Sequence, residues 1–158
     1  MKSRVLALAA VWLGVAVCLW GQGSASPASG SPRTAASEPL LVQAQLLVRD
    51  GKLDEALPVI HRFLEQRPDS ADGHAVLGFI LFKQSKPAEA LREYGETAKL
   101  RRPSAFESKI MGLSAAMLND YADADLWLSR SLALDPRDLE TCNDLGQAKF
   151  LARDTASR

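Results

Sequence analysis

The side chains that most often carry catalysis are few in this sequence and poorly placed for it. His61 and His74 are the two histidines, 13 positions apart, and Cys142 is the cysteine outside the N-terminal region. A cysteine–histidine nucleophile or a metal site needs such side chains within bonding distance of one another. His74 and Cys142 instead occupy equivalent positions of the sequence repeat described below. The pattern predicts structural roles for them, with no catalytic residue and no bound metal.

The acidic pairs are better explained as helix ends than as a general acid and base. Asp54 and Glu55, and again Asp123 and Asp125, fall in the first turns of predicted helices. Carboxylates there complement the positive end of the helix dipole. The sequence has no phosphate-binding glycine loop, zinc-binding helix motif or nucleophile elbow. We therefore expect no enzymatic activity and no cofactor.

The composition of the 158 residues excludes a further class of function. The 19 Lys and Arg residues balance 19 Asp and Glu residues, whereas a nucleic-acid-binding protein is expected to carry a basic excess. The basic dipeptide at 101–102 is too short to change this conclusion. We therefore expect one domain with no nucleic-acid partner.

Residues 1–25 have the three parts of a secretory signal peptide. Lys2 and Arg4 form a basic start, an apolar run covers residues 5–20, and small residues follow it. As a helix, the apolar run would span roughly 24 Å, which is short of the roughly 30 Å membrane core. Cleavage is therefore the favoured interpretation, and a retained membrane anchor is the alternative. The sequence predicts an extracytoplasmic protein, either periplasmic or secreted.

The next segment, residues 26–37, is rich in Ser, Ala, Pro and Gly. Such a composition cannot bury enough apolar surface to offset its ordering entropy, so it predicts a flexible linker. Loss of the signal peptide would also remove Cys18, and the bulky Val17 before it argues against lipid attachment there. Cys142 would then be alone, either as a small buried side chain or as a thiol that pairs between chains.

A repeat of 34 residues runs through the rest of the chain. Small residues, bulky apolar residues and turn residues each recur at this spacing, and amphipathic helical segments lie between the turns. The small residues predict close approach of paired helices, while Gly51 and Asn119 suit left-handed turns. The recurring sets are Ala44, Gly78, Gly112 and Gly146; Ala56, Ala90 and Ala124; Ile60, Tyr94 and Leu128; Leu40, His74, Ser108 and Cys142; and Gly51, Ser85 and Asn119.

The pattern resembles the tetratricopeptide repeat, most clearly where Leu77-Gly78 is followed by Ala90 and Tyr94. One helix pair cannot bury its apolar face alone, so neighbouring pairs must stack. The chain is therefore expected to be an all-α, right-handed superhelical solenoid of antiparallel helix pairs, with about 3.5 repeats. The repeats are expected at 37–70, 71–104 and 105–138.

Seven helices are predicted, near 38–50, 53–66, 71–84, 87–100, 105–118, 121–134 and 138–153. The part at 139–153 is either a capping helix or the first helix of a partial fourth repeat, and a tail follows at 154–158. In this last helix the apolar residues are expected to pack inward and the polar residues to face water. The inward set is Leu139, Cys142, Leu145 and Phe150.

The resemblance implies that the first helix of each repeat lines a concave surface that binds a protein or peptide partner. In the first repeat the corresponding positions are Leu41, Gln45, Val48 and Arg49, and in the second they are Ala75, Phe79, Phe82 and Lys83. The third repeat supplies Phe106, Lys109, Leu113, Ala116 and Met117, and the last helix supplies Asn143, Gln147 and Phe150.

This surface is apolar and aromatic, which predicts an exported adaptor that holds a partner polypeptide in its groove. Two alternatives stay open: an accessory region of a larger envelope or secretion complex, and a periplasmic chaperone-like binder of apolar segments. Self-association is compatible with all of them. A membrane is expected as a partner only if the N-terminal segment is retained as an anchor.

One binding mode of the resembled family is not expected. Members that hold the acidic C-terminal tails of cytosolic chaperones use a clamp of Lys, Asn and Arg side chains. The corresponding positions in this sequence carry no cation; they are Leu41, Gln45, Val76, Phe106 and Ile110.

Overall fold

The computed structural model describes the backbone of residues 32–156 and the side chains of residues 38–154. The described part consists of helices and turns, without a β-strand. The helices are α1 (Pro32–Arg49), α2 (Leu53–Gln66), α3 (Ala71–Lys83), α4 (Pro87–Leu100), α5 (Ala105–Met117), α6 (Tyr121–Leu134) and α7 (Leu139–Ala156). The all-α helical-repeat solenoid predicted from the sequence is confirmed.

The helix boundaries follow the predicted ones closely, with one correction at the start. α2, α4 and α6 begin and end at the predicted residues. α1, however, begins at Pro32, so residues 32–37 are helical and their assignment to a flexible linker was wrong. Proline is favoured in the first turn of a helix, because its missing N–H would have no partner there. Residues 1–31, with the predicted signal peptide, lie outside the described part.

The turn inside each repeat has the same geometry. Gly51, Ser85 and Asn119 have φ angles of 76°, 58° and 61°, which confirms the left-handed turns predicted at Gly51 and Asn119. The backbone N–H one residue later donates to a carbonyl in the last turn of the preceding helix, as Lys52 N–H does to Leu47 over 2.8 Å. This left-handed ending reverses the chain and makes the two helices of a repeat antiparallel.

Within each repeat, glycine lets the second helix approach the first. A Cβ added to Gly78 would lie 3.0 Å from the ring of Tyr94, and one added to Gly112 would lie 2.6 Å from Leu128. The predicted close approach is therefore confirmed at these two positions. At Gly146 it was wrong, because an added Cβ there meets no atom within 4 Å.

The stacked helices form two layers that differ in how tightly they pack. The first helices of the pairs, α1, α3, α5 and α7, each contact the next in that series. In the part of the chain that the structure describes, α2, α4 and α6 do not contact one another. A stack whose helices touch along one side and not along the other curves toward the touching side. The helices α1, α3, α5 and α7 therefore form the inner, concave wall.

The last helix packs on a different face from the one predicted. Leu139 and Phe150 are 82 % and 72 % exposed, and Cys142 is also exposed. Thr141 and Ala148 are buried against the preceding repeat instead. The inward assignment of Leu139, Cys142 and Phe150 was wrong, because α5 and α6 meet α7 from one side only. Leu145 was assigned correctly, since it is partly buried against the core.

Asp138 holds the start of α7. One of its carboxylate oxygens accepts the backbone N–H of Thr141 over 3.0 Å and the other accepts the Thr141 hydroxyl over 2.7 Å. Lys109 adds a third bond of 3.2 Å from α5. The Thr141 bonds are the main reason that the pKa of Asp138 is lowered from 3.8 to about 2.

Replacing Asp138 with asparagine should lower stability at neutral pH, while keeping a side chain able to cap the helix. The depressed pKa means that the charged form stabilises the fold fully above about pH 4 and that this contribution is lost as the pH falls to about 2. Urea unfolding should show that the native chain has the larger free energy of unfolding at pH 7. This difference between the native and variant chains should disappear at pH 2. Asp69→Asn, in the exposed α2–α3 turn, is the control. A difference that persists at pH 2 would contradict the role of the charge.

Candidate functional site

The concave wall contains an apolar cavity of about 330 Å³ where α1, α3 and α5 meet. The second helix of the middle repeat contributes Tyr94 to its lining, and the α4–α5 loop contributes Arg101. Apolar side chains make up most of its wall, so it suits an apolar side chain of a partner. The lining residues are Gln45, Val48, Asp72, Ala75, Val76, Phe79, Tyr94, Arg101, Phe106 and Glu107.

Two phenylalanines from neighbouring repeats form the aromatic side of the cavity. The ring centroids of Phe79 and Phe106 lie 5.5 Å apart with a tilt of 48°. The ammonium group of Lys83 lies 5.5 Å from the centroid of Phe79, within the range of a cation–π interaction. Phe106 is 55 % exposed, and Phe79 is partly buried. The pair therefore presents a preformed aromatic surface to a partner.

An ion-pair network forms the charged part of the cavity lining. The Arg101 guanidinium donates to both carboxylate oxygens of Glu107 over 2.7 and 2.8 Å, and to Asp72 over 2.9 Å. Glu107 also accepts the backbone N–H of Ser104 in a capping box at the start of α5. Burial alone would raise the pKa of Glu107, but the bonds from Arg101 and Ser104 outweigh it and hold the pKa below its ordinary value. The network fixes α3 to α5 and leaves the Arg101 charge already neutralised.

Tyr94 forms the floor of the cavity. Its side chain is 1 % exposed, and its ring packs against the backbone of Gly78, where a larger residue would have a side chain. Burial raises the pKa of the phenol, so Tyr94 is neutral at all physiological pH values. Its ring therefore adds buried apolar surface to the lining of the cavity.

The structure brings together five of the residues predicted for the groove and distributes the others elsewhere. Gln45, Val48, Ala75, Phe79 and Phe106 line the cavity. Leu41, Phe82, Leu113 and Ala116 are partly buried against the apolar core, Arg49 lies 3.4 Å from Asp50, and Met117 is exposed. Asn143, Gln147 and Phe150 lie together on a separate, shallow depression of α7.

Lys109, one of the predicted groove residues, is bonded within the chain and does not line the cavity. Its ammonium group lies 2.6 Å from Glu140 and 3.2 Å from Asp138, and its side chain is 11 % exposed. Burial would lower the pKa of Lys109, but hydrogen bonds to Glu140 and Asp138 outweigh it and raise the pKa. Lys109 therefore ties α5 to the start of α7.

Four lining residues were missed by every prediction from the sequence: Asp72, Tyr94, Arg101 and Glu107. The pattern Ser104-x-x-Glu107 is a visible capping-box signal, but it gives no indication that Glu107 also pairs with Arg101. Val76 also lines the cavity, but in the sequence it was identified only as a position that corresponds to the carboxylate-binding clamp of the resembled family. These four side chains come from three helices and a loop, whose relative placement depends on how the repeats stack.

The histidines and Cys142 do not form a reactive site in the described part of the chain. Nδ1 of His74 lies 2.9 Å from Glu93, and Nε2 lies 2.9 Å from the carbonyl oxygen of Pro68. His74 thus links α3 to α4 and to the turn before α3. Cys142 is exposed rather than buried as expected. No three His, Cys, Asp or Glu side chains among the described residues come together as a metal site would require.

Comparison with known protein families agrees with the observed fold. A family model described as "Tetratricopeptide repeat" matches residues 41–107, which include all of the residues that line the cavity. Residues 41–107 are a tetratricopeptide-repeat (TPR) region. No curated protein sequence matches this chain. No helix between residues 32 and 156 is both long and apolar enough to cross a bilayer.

Several solved TPR structures are similar to this chain. The first TPR of Spaghetti (RPAP3), bound to an HSP90 peptide SRMEEVD, has a TM-score of 0.68 and 20% identity, covering 74% of this chain and 93% of that one. YrrB, a TPR protein with an unusual peptide-binding site, has a TM-score of 0.66 and 20% identity. The similarity covers 75% of this chain and 64% of that one. At these identities the likeness establishes the fold.

A third similar structure is a secretion chaperone. The Yersinia enterocolitica type III secretion chaperone SycD, in complex with a peptide of the translocator YopD, has a TM-score of 0.65 and 15% identity. The similarity covers 73% of this chain and 94% of that one.

Proposed function

We propose that this chain is an exported, non-enzymatic adaptor that holds a partner polypeptide against its concave wall. The observation that carries the proposal is the cavity between α1, α3 and α5, with Phe79 and Phe106 on its aromatic side. Aromatic side chains on a preformed surface give large contact area at low entropic cost, and they dominate many peptide interfaces. Two solved TPR structures of similar fold have peptides bound, an HSP90 peptide in one and a translocator peptide in the other.

The cavity favours an apolar or aromatic anchor in the partner rather than a C-terminal carboxylate. Among the lining residues, Arg101 is the cation, and it is already bonded to Asp72 and Glu107. A carboxylate placed there would compete with two intramolecular carboxylates and would meet their negative charge. The partner is therefore expected to insert an apolar side chain next to Phe106.

Changing Phe106 to alanine should weaken peptide binding by about 2 kcal/mol, which is roughly thirtyfold, since central aromatic residues dominate such interfaces. A peptide would first be selected from a random library on the purified chain, and its affinity measured by fluorescence anisotropy. The matched control is Leu134→Ala, because Leu134 on α6 is 56 % exposed and Phe106 is 55 % exposed. Both variants should keep native circular dichroism. Equal affinities for the two variants would rule out the cavity as the binding site.

The chaperone-like alternative makes a different prediction in the same experiment. A chaperone of apolar segments would select many unrelated apolar peptides, whereas an adaptor would select one motif with a fixed anchor. A single motif is our expected result. The similarity to the secretion chaperone SycD is the observation that favours the alternative.

Export belongs to the same proposal and rests on residues 1–25, which lie outside the described part. Their basic start, apolar run and small residues are those of a secretory signal peptide. N-terminal sequencing of the chain recovered from the extracytoplasmic fraction should begin near residue 26. Recovery of the intact N-terminus in the membrane fraction would support the retained anchor instead.

A further inference from the structure

The outward face of α7 is an apolar surface with an open slot at its centre. It comprises Leu139, Cys142, Gly146 and Phe150, together with the flanking Asn143, Gln147 and Leu151. Leu139 and Phe150 are 82 % and 72 % exposed, and the space above Gly146 is empty to at least 4 Å. α5 and α6 contact α7 from its other side. We call this surface the α7 face.

The two preceding repeats show what shape fits the slot. Gly146 belongs to the same 34-residue series as Gly78 and Gly112. Those glycines receive Tyr94 and Leu128 from an antiparallel helix. In each of those helices a small residue, Ala90 or Ala124, stands four positions before the bulky one and is fully buried. The slot therefore fits an antiparallel helix that carries a small residue and then a bulky apolar residue four positions later.

α7 itself has this pair of residues. Gly146 is small, Phe150 is bulky and lies four positions later, and both belong to the α7 face. If two α7 helices lie antiparallel with Phe150 of each copy level with Gly146 of the other, a single twofold rotation relates the copies. Each Phe150 then fills the slot of the other copy. Such reciprocity is the property of a twofold symmetric interface, in which one surface serves both copies.

The charges of α7 favour the same antiparallel arrangement. Its N-terminal half carries Glu140 and Asp144, a charge of −2, and its C-terminal half carries Lys149, Arg153 and Asp154, a net charge of +1. Glu140 is bonded to Lys109 and Lys149 lies 3.5 Å from Asp125 in the same chain. Antiparallel pairing places the acidic half of one helix beside the basic half of the other, whereas parallel pairing would place like charges together. Between these groups the α7 face is uncharged, so the pairing buries no isolated charge.

We propose that a second copy of this chain docks on the α7 face, forming a twofold homodimer in which Phe150 of each copy fills the slot above Gly146 of the other. This surface is separate from the cavity lined by Phe79 and Phe106. The dimer consequently holds two peptide-binding cavities in one particle, which increases the avidity for a partner with repeated motifs.

The test is sedimentation equilibrium of the full chain over a range of concentrations, with and without a reductant. The native chain should reach twice its monomer mass, and the reductant should not change this, because the contact is packing and not a Cys142 disulfide. Gly146→Leu should fill the slot and weaken dimerisation at least about tenfold. The matched control is Gly95→Leu, since an added side chain at Gly95 on α4 also meets no atom within 4 Å; it should dimerise normally.

A swap variant separates reciprocal packing from a general loss of apolar surface. Combining Gly146→Leu with Phe150→Ala moves the bulky residue to the other position of the pair, and antiparallel packing should be restored. A monomeric native chain, a dimer lost on reduction, equal behaviour of the Gly146 and Gly95 variants, or a swap variant that stays monomeric would each overturn the proposal. Peptide affinity per chain should be unchanged in the Gly146 variant, so this result is independent of the function of the cavity.

Discussion

Replacing Gly112 with alanine should destabilise the stack by about 1–3 kcal/mol, although alanine is the better helix former. A Cβ at this position would lie 2.6 Å from Cγ of Leu128, 2.9 Å from its Cδ2 and 3.1 Å from its backbone nitrogen. Leu128 is fully buried and cannot move into solvent, and the backbone contact prevents α6 from accommodating the methyl group without a shift. Gly112→Leu should prevent the third repeat from packing at all.

Gly95→Ala is the matched control for this prediction. Gly95 also lies inside a helix, but an added Cβ meets nothing within 4 Å, so this change should stabilise the chain by up to about 1 kcal/mol through helix propensity alone. Urea unfolding followed by circular dichroism should therefore show a lower free energy of unfolding for Gly112→Ala and a higher one for Gly95→Ala, each relative to the native chain. Shifts of the same sign would mean that the α5–α6 contact does not limit the size of residue 112.

Replacing Arg101 with leucine should lower the free energy of unfolding by about 1–3 kcal/mol at neutral pH. Breaking a fully buried ion pair costs about 3–5 kcal/mol because the remaining charge is left without a partner. The Arg101 side chain is 37 % exposed and that of Glu107 is 10 % exposed, so solvent screening reduces the expected loss. The same change on the exposed face of α4, Arg92→Leu, removes a side chain that is 68 % exposed and should have little effect.

The cost of Arg101→Leu should depend on pH. In the native chain the pKa of Glu107 is lowered, so the charged carboxylate stabilises the fold above its ordinary pKa near 4.5, and this contribution is lost as the pH falls below that value. The free energies of unfolding of native and variant chains should accordingly converge as the pH falls through the lowered pKa of Glu107. A difference that is the same at pH 7 and pH 2 would show that Arg101 acts through packing rather than through its charge.

The sequence was sufficient to predict the elements of the fold because the signals there are local. The turn residues at Gly51 and Asn119 and the paired small residues each act within one repeat. Gly73 was missed, although an added Cβ there would lie 2.6 Å from Phe63. That contact joins two successive repeats, and the 34-residue period contains no information about which residues meet across such a junction.

The candidate site was predicted less completely because it depends on how repeats meet. The positions of Phe79 and Phe106 on the inner wall followed from the resemblance, but the pairing of Arg101 with Asp72 and Glu107 joins α3, a loop and α5. Lys109 was misassigned for the same reason, since its partners lie on the following repeat. The outward direction of Phe150 could not be predicted from helical periodicity, which places apolar residues on one face without indicating which neighbours cover that face.

The unequal packing of the two layers has a mechanical consequence. Because α2, α4 and α6 do not touch one another in the described part, whereas α1, α3, α5 and α7 do, we expect the contacts of the inner layer to set the curvature. A guest side chain placed between Phe79 and Phe106 would move α3 away from α5 and reduce the curvature at that junction. The shape of the whole molecule would then report the size of the guest held at a single point.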